Sequence, residues 1–413
     1  MYIPRTLEKS IKEVTKEFPA LLLTGPRQVG KTTLLQHLKE PERTYVSLDD
    51  PIIRTLARED PALFFQKFRP PILIDEIQYG PDLLYYIKME IDRTHKPGQF
   101  WLTGSQQFVL MSSISETLAG RIAILNLLGF SMREQDKRPE PDEPFLPTRE
   151  NLLTRDESAI MLTLPQIFAR IWLGSFPALI TGQIKQRDIF YSSYVQTYLQ
   201  RDVSDLAQVG DREAFFRFIK ACAARTAQLL NLSDLARDAD ISVTTAKKWL
   251  SILEASFQIF LLRPFATNLT KRLIKRPKLY FVDTGLAAYL TEWTSPETLA
   301  SGAMAGSFFE TFVVVEILKT WWHRARQPSI FYFRNKDKKE IDVILQQNNI
   351  LYPVEIKLGA SPKKEWIKNF LALKSITQNS DSSVSTGEGC VISLINTLLP
   401  LDKENMALPV GCI

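Results

Sequence analysis

The chain is poor in the residues that build disulfides and histidine metal sites. Its 413 residues include 3 cysteines and 3 histidines. Cys222, Cys390 and Cys412 lie far apart, so they form neither a disulfide framework nor the paired spacing of a zinc site. Few and unpaired cysteines are typical of a reducing compartment, and we therefore expect a cytoplasmic protein. The scattered histidines argue against a metal centre built from imidazole ligands.

Long apolar stretches are absent as well. No run approaches the length that a membrane-spanning helix requires, and the N-terminus has no apolar signal core. We therefore expect no membrane partner. Hydrophobic residues make up 45% and charged residues 23%, the composition of a soluble globular protein. The length predicts about two to four domains, and the net charge of +5 is compatible with nucleic acid without demanding it.

A segment near the N-terminus has the form of a phosphate-binding loop. An apolar strand leads into the pattern G-x-x-x-x-G-K-S/T from Gly25 to Thr32, and a helical pattern follows. The glycines let backbone N–H groups face phosphate oxygens, Lys31 supplies charge to the outer phosphates, and the Thr32 hydroxyl suits Mg²⁺. The N-terminus of the helix adds its positive dipole end. The predicted nucleotide-binding residues are Gly25, Pro26, Arg27, Gln28, Val29, Gly30, Lys31, Thr32 and Thr33.

Two carboxylates end a later predicted strand. The apolar run 72–74 is followed by Asp75 and Glu76. Open α/β sheets bind ligands at the C-terminal edge of their strands. Asp75 is suited to hold Mg²⁺ together with Thr32, because this ion takes few carboxylates alongside phosphate oxygens. Glu76 is suited to orient or deprotonate the attacking water. The adjacent acid favours ATP over GTP, so the cofactors predicted are ATP and Mg²⁺.

A polar residue and an arginine complete the predicted catalytic set with Glu76. The strand 100–103 leads to Ser105, which has the position of the sensor that touches the γ-phosphate or the attacking water in ATPases with an additional inserted strand. Arg121 precedes the next apolar run and is a candidate for stabilising transition-state charge, in its own subunit or in a neighbouring subunit of a homo-oligomer. A salt-bridged or helix-capping arginine is the competing interpretation.

The order of elements predicts the fold class and the domains. Apolar strands alternate with helical stretches over 1–134, which predicts an α/β domain with a parallel sheet. Several prolines follow among charged residues, so 135–160 is predicted to be an exposed linker or insertion. Residues 161–225 have helical periodicity and are predicted to form a helical domain. The aromatic residues expected to form its core face are Phe190, Tyr191, Tyr194 and Tyr198.

Residues 226–283 have the pattern of a helix-turn-helix followed by a basic wing, which predicts a winged helix. The small and basic residues of 242–248, capped by Ser242, are typical of a recognition helix. The segment 263–278 contains basic residues and no acid, a composition that suits DNA phosphates. DNA contact is one interpretation, and protein packing is the other. The basic residues are Arg263, Lys271, Arg272, Lys275, Arg276 and Lys278.

The segment 284–413 contains a second set of acids. Glu310 lies in a predicted helix, Asp342 in a strand, and Glu355 and Lys357 form E-x-K in the next strand. Alternate strand residues share a face, so we expect the carboxylates to converge on a divalent cation with Lys357 beside it. This is the shape of a PD-(D/E)xK nuclease core and predicts a small α/β nuclease-like domain. Alternating charges on a solvated hairpin are the competing interpretation.

The motifs in this order resemble those of a prokaryotic family of AAA-type P-loop ATPases. In that family an N-terminal ATPase precedes helices, a winged helix and a nuclease-like domain of uncharacterised role. The resemblance covers nearly the whole chain and implies ATP binding and hydrolysis. At 126–130 the chain departs from the proline-serine turn that the family tends to have. The segments that carry the resemblance are 25–33, 47–50, 75–78, 103–105, 119–121, 198–202, 281–286 and 355–357.

Two classes of function remain open. In the first, the chain is an ATP-driven enzyme that binds or processes DNA through the winged helix and the nuclease-like domain. In the second, it is an ATP-dependent switch or scaffold whose nuclease-like domain is catalytically inactive and binds a protein partner. Salt-dependent DNA binding distinguishes them, because contacts to phosphates give a steep dependence on salt.

Overall fold

The computed structural model describes residues 2–104, 114, 116–138, 141–203, 211–266, 276–335, 337–378 and 384–413, with the backbone alone at 200–203. The chain divides into two compact units. The first comprises Met1–Phe130 with the short segments Ala255–Phe257 and Trp322–Arg326. The second comprises Ser131–Glu254, Gln258–Trp321 and Gln327–Ile413.

The first unit contains a parallel sheet and accompanying helices. Its strands are β1 Ala20–Thr24, β2 Thr44–Ser47, β3 Ile72–Asp75, β4 Phe100–Gly104 and β5 Ile122–Asn126. Its helices are α1 Leu7–Glu17, α2 Lys31–Leu38, α3 Pro51–Glu59, α4 Pro61–Lys67 and α5 Leu83–Thr94. In the described part of the unit, the strand order is β2–β3–β4–β1–β5 and every pair is parallel. The predicted parallel α/β fold is confirmed.

The strand order determines where a site can form. Strands β1, β3 and β4 are buried along their whole length, as expected for parallel strands covered on both faces. Strand β4 lies between β3 and β1, so the C-terminal ends of these three strands meet at one edge of the sheet. The phosphate loop follows β1 there, and Asp75 ends β3.

The N-terminal part of the second unit is helical. Its helices are α6 Met132–Gln135, α7 Arg149–Glu157, α8 Leu164–Leu173, α9 Pro177–Ile180, α10 Arg187–Tyr194 and α11 Arg212–Ala223, and a π-helical stretch spans Val195–Val203. The aromatic side chains of Phe190, Tyr191, Tyr194 and Tyr198 are buried. The prediction that they form a core face is confirmed.

The structure corrects the expectation of an exposed linker at 135–160. The side chain of Phe145 is fully buried, its N–H donates to Thr320 Oγ1 at 3.0 Å, and its carbonyl accepts from Trp321 Nε1 at 3.1 Å. Helix α7 follows, with the Thr148 hydroxyl accepting from the Asn151 N–H. Prolines prevent a regular helix before α7, but an extended segment can still bury an aromatic ring.

Residues 212–281 form a helix, a strand, two helices and two further strands. After α11 come β6 Gln228–Leu229, α12 Leu232–Ala239, α13 Val243–Ala255, β7 Ile259–Leu262 and β8 Lys278–Phe281. In the described residues, the sheet has the order β6–β8–β7, and both pairs are antiparallel. Helix α13 buries Trp249, Leu250 and Leu253.

The C-terminal part of the second unit is a mixed sheet with helices. The helices are α14 Thr284–Leu290, α15 Pro296–Ser301, α16 Ala305–Trp322 and α17 Phe370–Gln378. The strands are β9 Ser329–Arg334, β10 Glu340–Gln347, β11 Ile350–Lys357, β12 Ser385–Thr386, β13 Gly389–Ser393, β14 Leu399–Pro400 and β15 Asn405–Pro409. Their order is β14–β15–β13–β11–β10–β9, with β12 also beside β11. In the described ranges, no helix combines the length and the apolar character needed to cross a membrane.

Candidate nucleotide site and carboxylate cluster

Two glycines shape the phosphate loop. Gly25 has a φ of +147°, and a Cβ atom there would lie 2.0 Å from the Leu127 carbonyl oxygen. Gly30 has a φ of 90° and precedes the first residue of α2. Both positions therefore need a residue without a side chain, the first for close approach and the second for its backbone conformation.

The other loop residues are placed around these glycines. Val29 is buried, Gln28 is exposed with a φ of 62°, and the Arg27 guanidinium donates to the Tyr79 hydroxyl at 3.4 Å. Thr33 is exposed on α2. The loop thus has its backbone inside and several of its side chains outside, as a loop that binds through N–H groups requires.

Lys31 bends back over the loop. Its ammonium donates to the Gly25 carbonyl at 3.0 Å and to the Pro26 carbonyl at 2.7 Å. Burial lowers the pKa of Lys31 to about 8, although the carboxylates of Glu76 and Asp75 oppose this shift. The lysine is therefore a cation held in a poorly solvated position beside the loop, where an anionic ligand would restore its usual pKa.

Asp75 connects the loop to the neighbouring strands. Its Oδ1 accepts from the Thr32 hydroxyl at 2.7 Å and also from the Thr103 hydroxyl, and its Oδ2 accepts from the Tyr45 hydroxyl at 3.2 Å. The structure thus brings together the two predicted Mg²⁺ ligands, Thr32 and Asp75. A hydroxyl and a carboxylate fit Mg²⁺ when phosphate oxygens and water complete the coordination, which is the usual arrangement for this ion.

Glu76 follows Asp75 in a left-handed backbone conformation, with φ 56° and ψ 50°. Its N–H donates to the Thr103 hydroxyl at 3.1 Å, and its carboxylate accepts from the Gln78 side-chain amide. A non-glycine residue in this conformation costs roughly 1 kcal/mol or more, and such residues cluster at functional sites. Asp75 and Glu76 are thus consecutive residues at the same sheet edge, and β3 ends where the left-handed turn begins.

Sequence analysis missed three residues of this site. Thr103 bonds to both Asp75 and Glu76, Tyr45 bonds to Asp75, and Arg5 supports the loop from the N-terminal segment. Arg5 is buried and donates to the Val29 carbonyl at 3.1 Å and to the Leu128 carbonyl at 2.8 Å. The place of Thr103 near the end of a buried strand was a usable indication. The sequence gives no such indication for Tyr45 and Arg5, because the residues that they contact lie far from them along the chain.

Of the remaining predicted catalytic residues, Arg121 is not part of this arrangement. Ser105 lies outside the described residues. Arg121 forms a two-pronged ion pair with Asp92, with Nε–Oδ1 at 2.6 Å and Nη2–Oδ2 at 3.1 Å. Arg121 directly precedes β5, and the first residue of β5 pairs with the first residue of β1. Arg121 therefore lies at the N-terminal edge of the sheet, whereas the phosphate loop lies at the C-terminal edge, roughly 13 Å away along the strands. A role in a neighbouring subunit of a homo-oligomer stays a prediction.

In the second unit, the predicted nuclease-like residues lie in one cluster. Lys357 Nζ is 2.5 Å from Glu355 Oε1 and 3.7 Å from Asp342 Oδ2, so these three residues share a face as expected. Glu310 joins them through Lys278, whose Nζ lies 3.1 Å from Glu310 Oε1 and 3.5 Å from Asp342 Oδ1. No group of three or more His, Cys, Asp or Glu side chains in the described ranges is arranged to hold a metal ion.

Lys278 is a correction to the predicted basic wing. It was counted among the DNA-facing residues of 263–278, but it is only 3% exposed and its ammonium also lies 2.7 Å from Glu340 Oε1. Strand β8 is buried on both faces, so Lys278 has no exposed position there, and Lys278 and Tyr280 both bond to Glu310 from the face that they share. Its charge therefore neutralises buried carboxylates.

Burial and charge shift the pKa values in this cluster. Burial raises the pKa of Glu310 to about 7 and that of Glu355 to about 8, and the Asp342 carboxylate adds to both shifts. Burial alone would lower the pKa of Lys278, but Glu310, Asp342 and Glu340 raise it above its usual value. Lys278 therefore remains charged throughout the physiological pH range.

The other basic residues predicted to face DNA are exposed where the structure describes them, whereas Ala246 of the predicted segment 242–248 is buried. Lys247 and Lys248 are exposed on α13, and Arg263 and Arg276 are exposed on either side of the wing. The three other basic residues of the wing lie outside the described residues, namely Lys271, Arg272 and Lys275.

The chain is similar in sequence to other proteins over most of its length. An uncharacterized protein of Mycobacterium tuberculosis, Rv2008c, is 29% identical over 348 residues, which are 83% of this chain and 71% of the relative. Its counterpart in Mycobacterium bovis, Mb2031c, has the same identity and coverage. A solved Walker-type ATPase of Pyrococcus abyssi is 16% identical, with a TM-score of 0.41 over 69% of this chain and 94% of that chain. A variant of Thermotoga maritima RuvB is 18% identical, with a TM-score of 0.28 over 62% and 85%.

Three domain families match successive parts of the chain. Residues 164–297 match a domain of unknown function, DUF8612, and residues 305–413 match another, DUF4143. Residues 17–135 match the AAA domain family. That range contains the phosphate loop, the Lys31 ammonium and the bonded pair of Thr32 and Asp75. The sequence match and the geometry of the site agree, because residues 17–135 resemble a P-loop ATPase domain of the AAA type in both respects.

Proposed function

We propose that this protein hydrolyses ATP with Mg²⁺ in its AAA-type domain and couples hydrolysis to DNA binding by residues 226–283. The observation that carries the proposal is the hydrogen bond between the Thr32 hydroxyl and Asp75 Oδ1, next to Glu76. This bond brings an Mg²⁺-suited pair to the edge of the sheet that carries the phosphate loop, and Glu76, a candidate general base, follows Asp75 directly.

Each residue of the site has a distinct task in hydrolysis. The loop N–H groups and Lys31 would bind the phosphates, and Thr32 and Asp75 would hold Mg²⁺. When bound, Mg²⁺ neutralises charge on the phosphate oxygens. Glu76 orients the attacking water and accepts its proton, while Gln78 and Thr103 fix the position of Glu76. Because the transition state is reached chiefly by positioning and charge stabilisation, these contacts account for catalysis without a covalent intermediate.

The affinity of the site for ATP should depend on pH through Lys31. Its pKa of about 8 will rise when phosphates bind, so binding above that pH must take up a proton. We expect affinity to fall about tenfold from pH 7 to pH 9, as one proton uptake requires. Titration calorimetry in two buffers of different ionisation enthalpy measures both the affinity for ATP and the number of protons taken up on binding. Equal affinity at the two pH values without proton uptake would contradict this assignment, provided that thermal unfolding shows a folded protein at both.

The element order of 212–281 supports a winged helix as the DNA-binding part. Helix, strand, helix, helix, strand, strand is the order of that fold, and α13 is its recognition helix. The buried face of α13 packs inside, which leaves Lys247 and Lys248 exposed. Arg263 and Arg276 are exposed as well, and these four cations supply the positive charge that contact with DNA phosphates requires.

Replacing Lys247 and Lys248 with alanine should weaken DNA binding and its salt dependence. Each lost phosphate contact lowers the slope of log affinity against log salt by about 0.9, so we expect a decrease of about 2 for the pair. Fluorescence anisotropy with a labelled duplex at several salt concentrations measures the slope. The matched control replaces Lys363 and Lys364, an equally exposed pair of adjacent lysines. An unchanged slope in the first variant, or an equal decrease in both, would reject this DNA surface.

A second candidate function is an ATP-dependent switch or scaffold whose nuclease-like domain is inactive and binds a protein partner. The buried Lys278 among the carboxylates favours it, because a site filled by an ammonium does not fit Mg²⁺. The expectation of an Mg²⁺-dependent nuclease at Glu310, Asp342 and Glu355 is therefore not included in the proposed function. Absence of any salt-dependent DNA binding by the full chain would favour this second candidate.

A further inference from the structure

Three carboxylates of the second unit converge on one ammonium group. Lys278 Nζ lies 3.1 Å from Glu310 Oε1, 2.7 Å from Glu340 Oε1 and 3.5 Å from Asp342 Oδ1. An ammonium has three N–H donors and no acceptor, so this environment meets its full capacity. The ammonium therefore occupies the point at which a cation would be attracted by all three carboxylates.

A divalent cation and Lys278 cannot share this point. Mg²⁺ binds carboxylate oxygens at about 2.0–2.1 Å, closer than any of the oxygens lies to Lys278 Nζ. Metal coordination would have to draw the same oxygens inward and place two like charges together in a buried, weakly screened position. The cluster thus fits a monovalent, built-in cation and does not fit a metal ion while Lys278 remains there.

A further oxygen shows that the cluster retains unused ligand capacity. Glu355 is 5% exposed, and its Oε1 accepts from Lys357. Its Oε2 is buried without a hydrogen-bond partner among the described residues. An unsatisfied buried carboxyl oxygen costs about 1–3 kcal/mol, and either a proton, which the raised pKa of Glu355 favours, or a bound cation would reduce this cost.

The lysine and the carboxylates come from different parts of the fold. Lys278 lies on β8, which pairs with β6 and β7, whereas Asp342 and Glu355 lie on the adjacent strands β10 and β11 of the other sheet. Hydrogen bonding between Asp342 and the Ile356 N–H at 2.9 Å fixes the carboxylate independently of β8. Lys278 can therefore leave or be replaced without dismantling the strands that carry the ligands.

We propose that Lys278 is the resident cation of this cluster, and that the cluster binds a divalent metal only when this ammonium is absent. The site concerned is separate from the nucleotide site, so the proposal does not depend on ATP hydrolysis. It assigns Lys278 the role of a positioning residue that excludes metal from a site with the residue types of a nuclease.

The test measures Mn²⁺ binding to the full chain without nucleotide, by the electron paramagnetic resonance signal of free Mn²⁺. We expect Lys278→Met to gain about one Mn²⁺ site per chain, because Glu310, Glu340 and Asp342 then lose the ammonium that they share and can close on a metal ion, with Arg334 and Lys357 left as neighbouring cations. The double variant Lys278→Met with Glu355→Gln should lose the gained site. Lys278→Arg, which keeps the charge, should bind no more Mn²⁺ than the wild type. A folded Lys278→Met protein without an added site would overturn the proposal.

A second comparison keeps the test decisive if Lys278→Met fails to fold. In the wild-type background, Glu355→Gln should leave Mn²⁺ binding unchanged, because the cluster holds no metal beside Lys278. Loss of a bound Mn²⁺ in this single variant would show that the wild-type cluster already binds metal, and the proposal would fail. Equal binding by the two proteins, with circular dichroism showing that both are folded, supports metal exclusion.

Discussion

Glu76→Gln is expected to bind ATP with wild-type affinity and to hydrolyse it about 10²–10⁴-fold more slowly, the range of a lost general base. Glutamine keeps the size of the side chain and its bond to Gln78 or water, but it cannot accept a proton from the attacking water. Thr32 and Asp75 are unchanged, so the Mg²⁺-suited pair remains. The rate of phosphate release under saturating ATP measures hydrolysis, and titration calorimetry measures the affinity for ATP.

The matched control is Glu59→Gln, which removes an exposed carboxylate of the same domain. It should leave both quantities unchanged. If Glu76→Gln hydrolysed ATP at the wild-type rate, Glu76 would not be the water-activating residue. If instead it lost ATP binding, the carboxylate would have a role in the ground state of the complex that the proposed mechanism does not include.

Lys31→Ala should abolish detectable nucleotide binding. The ammonium lies over the loop, bonded to the carbonyls of Gly25 and Pro26, and it is the loop's principal charge toward the outer phosphates. Alanine removes this charge and leaves two loop carbonyls without their donor. A shift in melting temperature on addition of ATP and Mg²⁺ provides the measurement, with a clear increase expected for the wild type and none for the variant.

Lys12→Ala provides the comparison, because Lys12 is an exposed lysine on α1 of the same unit. It should retain the full increase in melting temperature. Without nucleotide, Lys31→Ala should still unfold cooperatively, since removing a buried cation relieves a desolvation cost as well as deleting two hydrogen bonds. A normal increase with ATP in Lys31→Ala would contradict the assigned position of the phosphates.

Much of the ATPase domain was predictable because its determinants are local. The glycines of the loop, the apolar strands and the acids after β3 are close in sequence to the features that they determine. The parallel order then brings Thr32 and Asp75 together, as strand ends of one sheet must. Tyr45 and Arg5 were not predictable, because each reaches the site from a distant segment through a long side chain.

The second unit shows where local pattern misleads. A run of basic residues indicated a charged surface, but the run does not tell which side chain faces inward once a strand forms. Lys278 lies in the interior because all four residues of β8 are buried, and its partners Glu310, Glu340 and Asp342, which come later in the chain, balance its charge there. Phe145 is a similar case, since it lies in a segment rich in prolines and acids, yet its side chain is fully buried.

The support of the phosphate loop from two sides has a kinetic consequence. The Leu127 carbonyl closes one side against Gly25, and Arg5 ties Val29 to the segment that follows β5. A loop restrained in this way loses little conformational entropy when a ligand binds. Nucleotides that differ in affinity should then differ mainly in how long they stay, because entry requires no slow rearrangement of the loop.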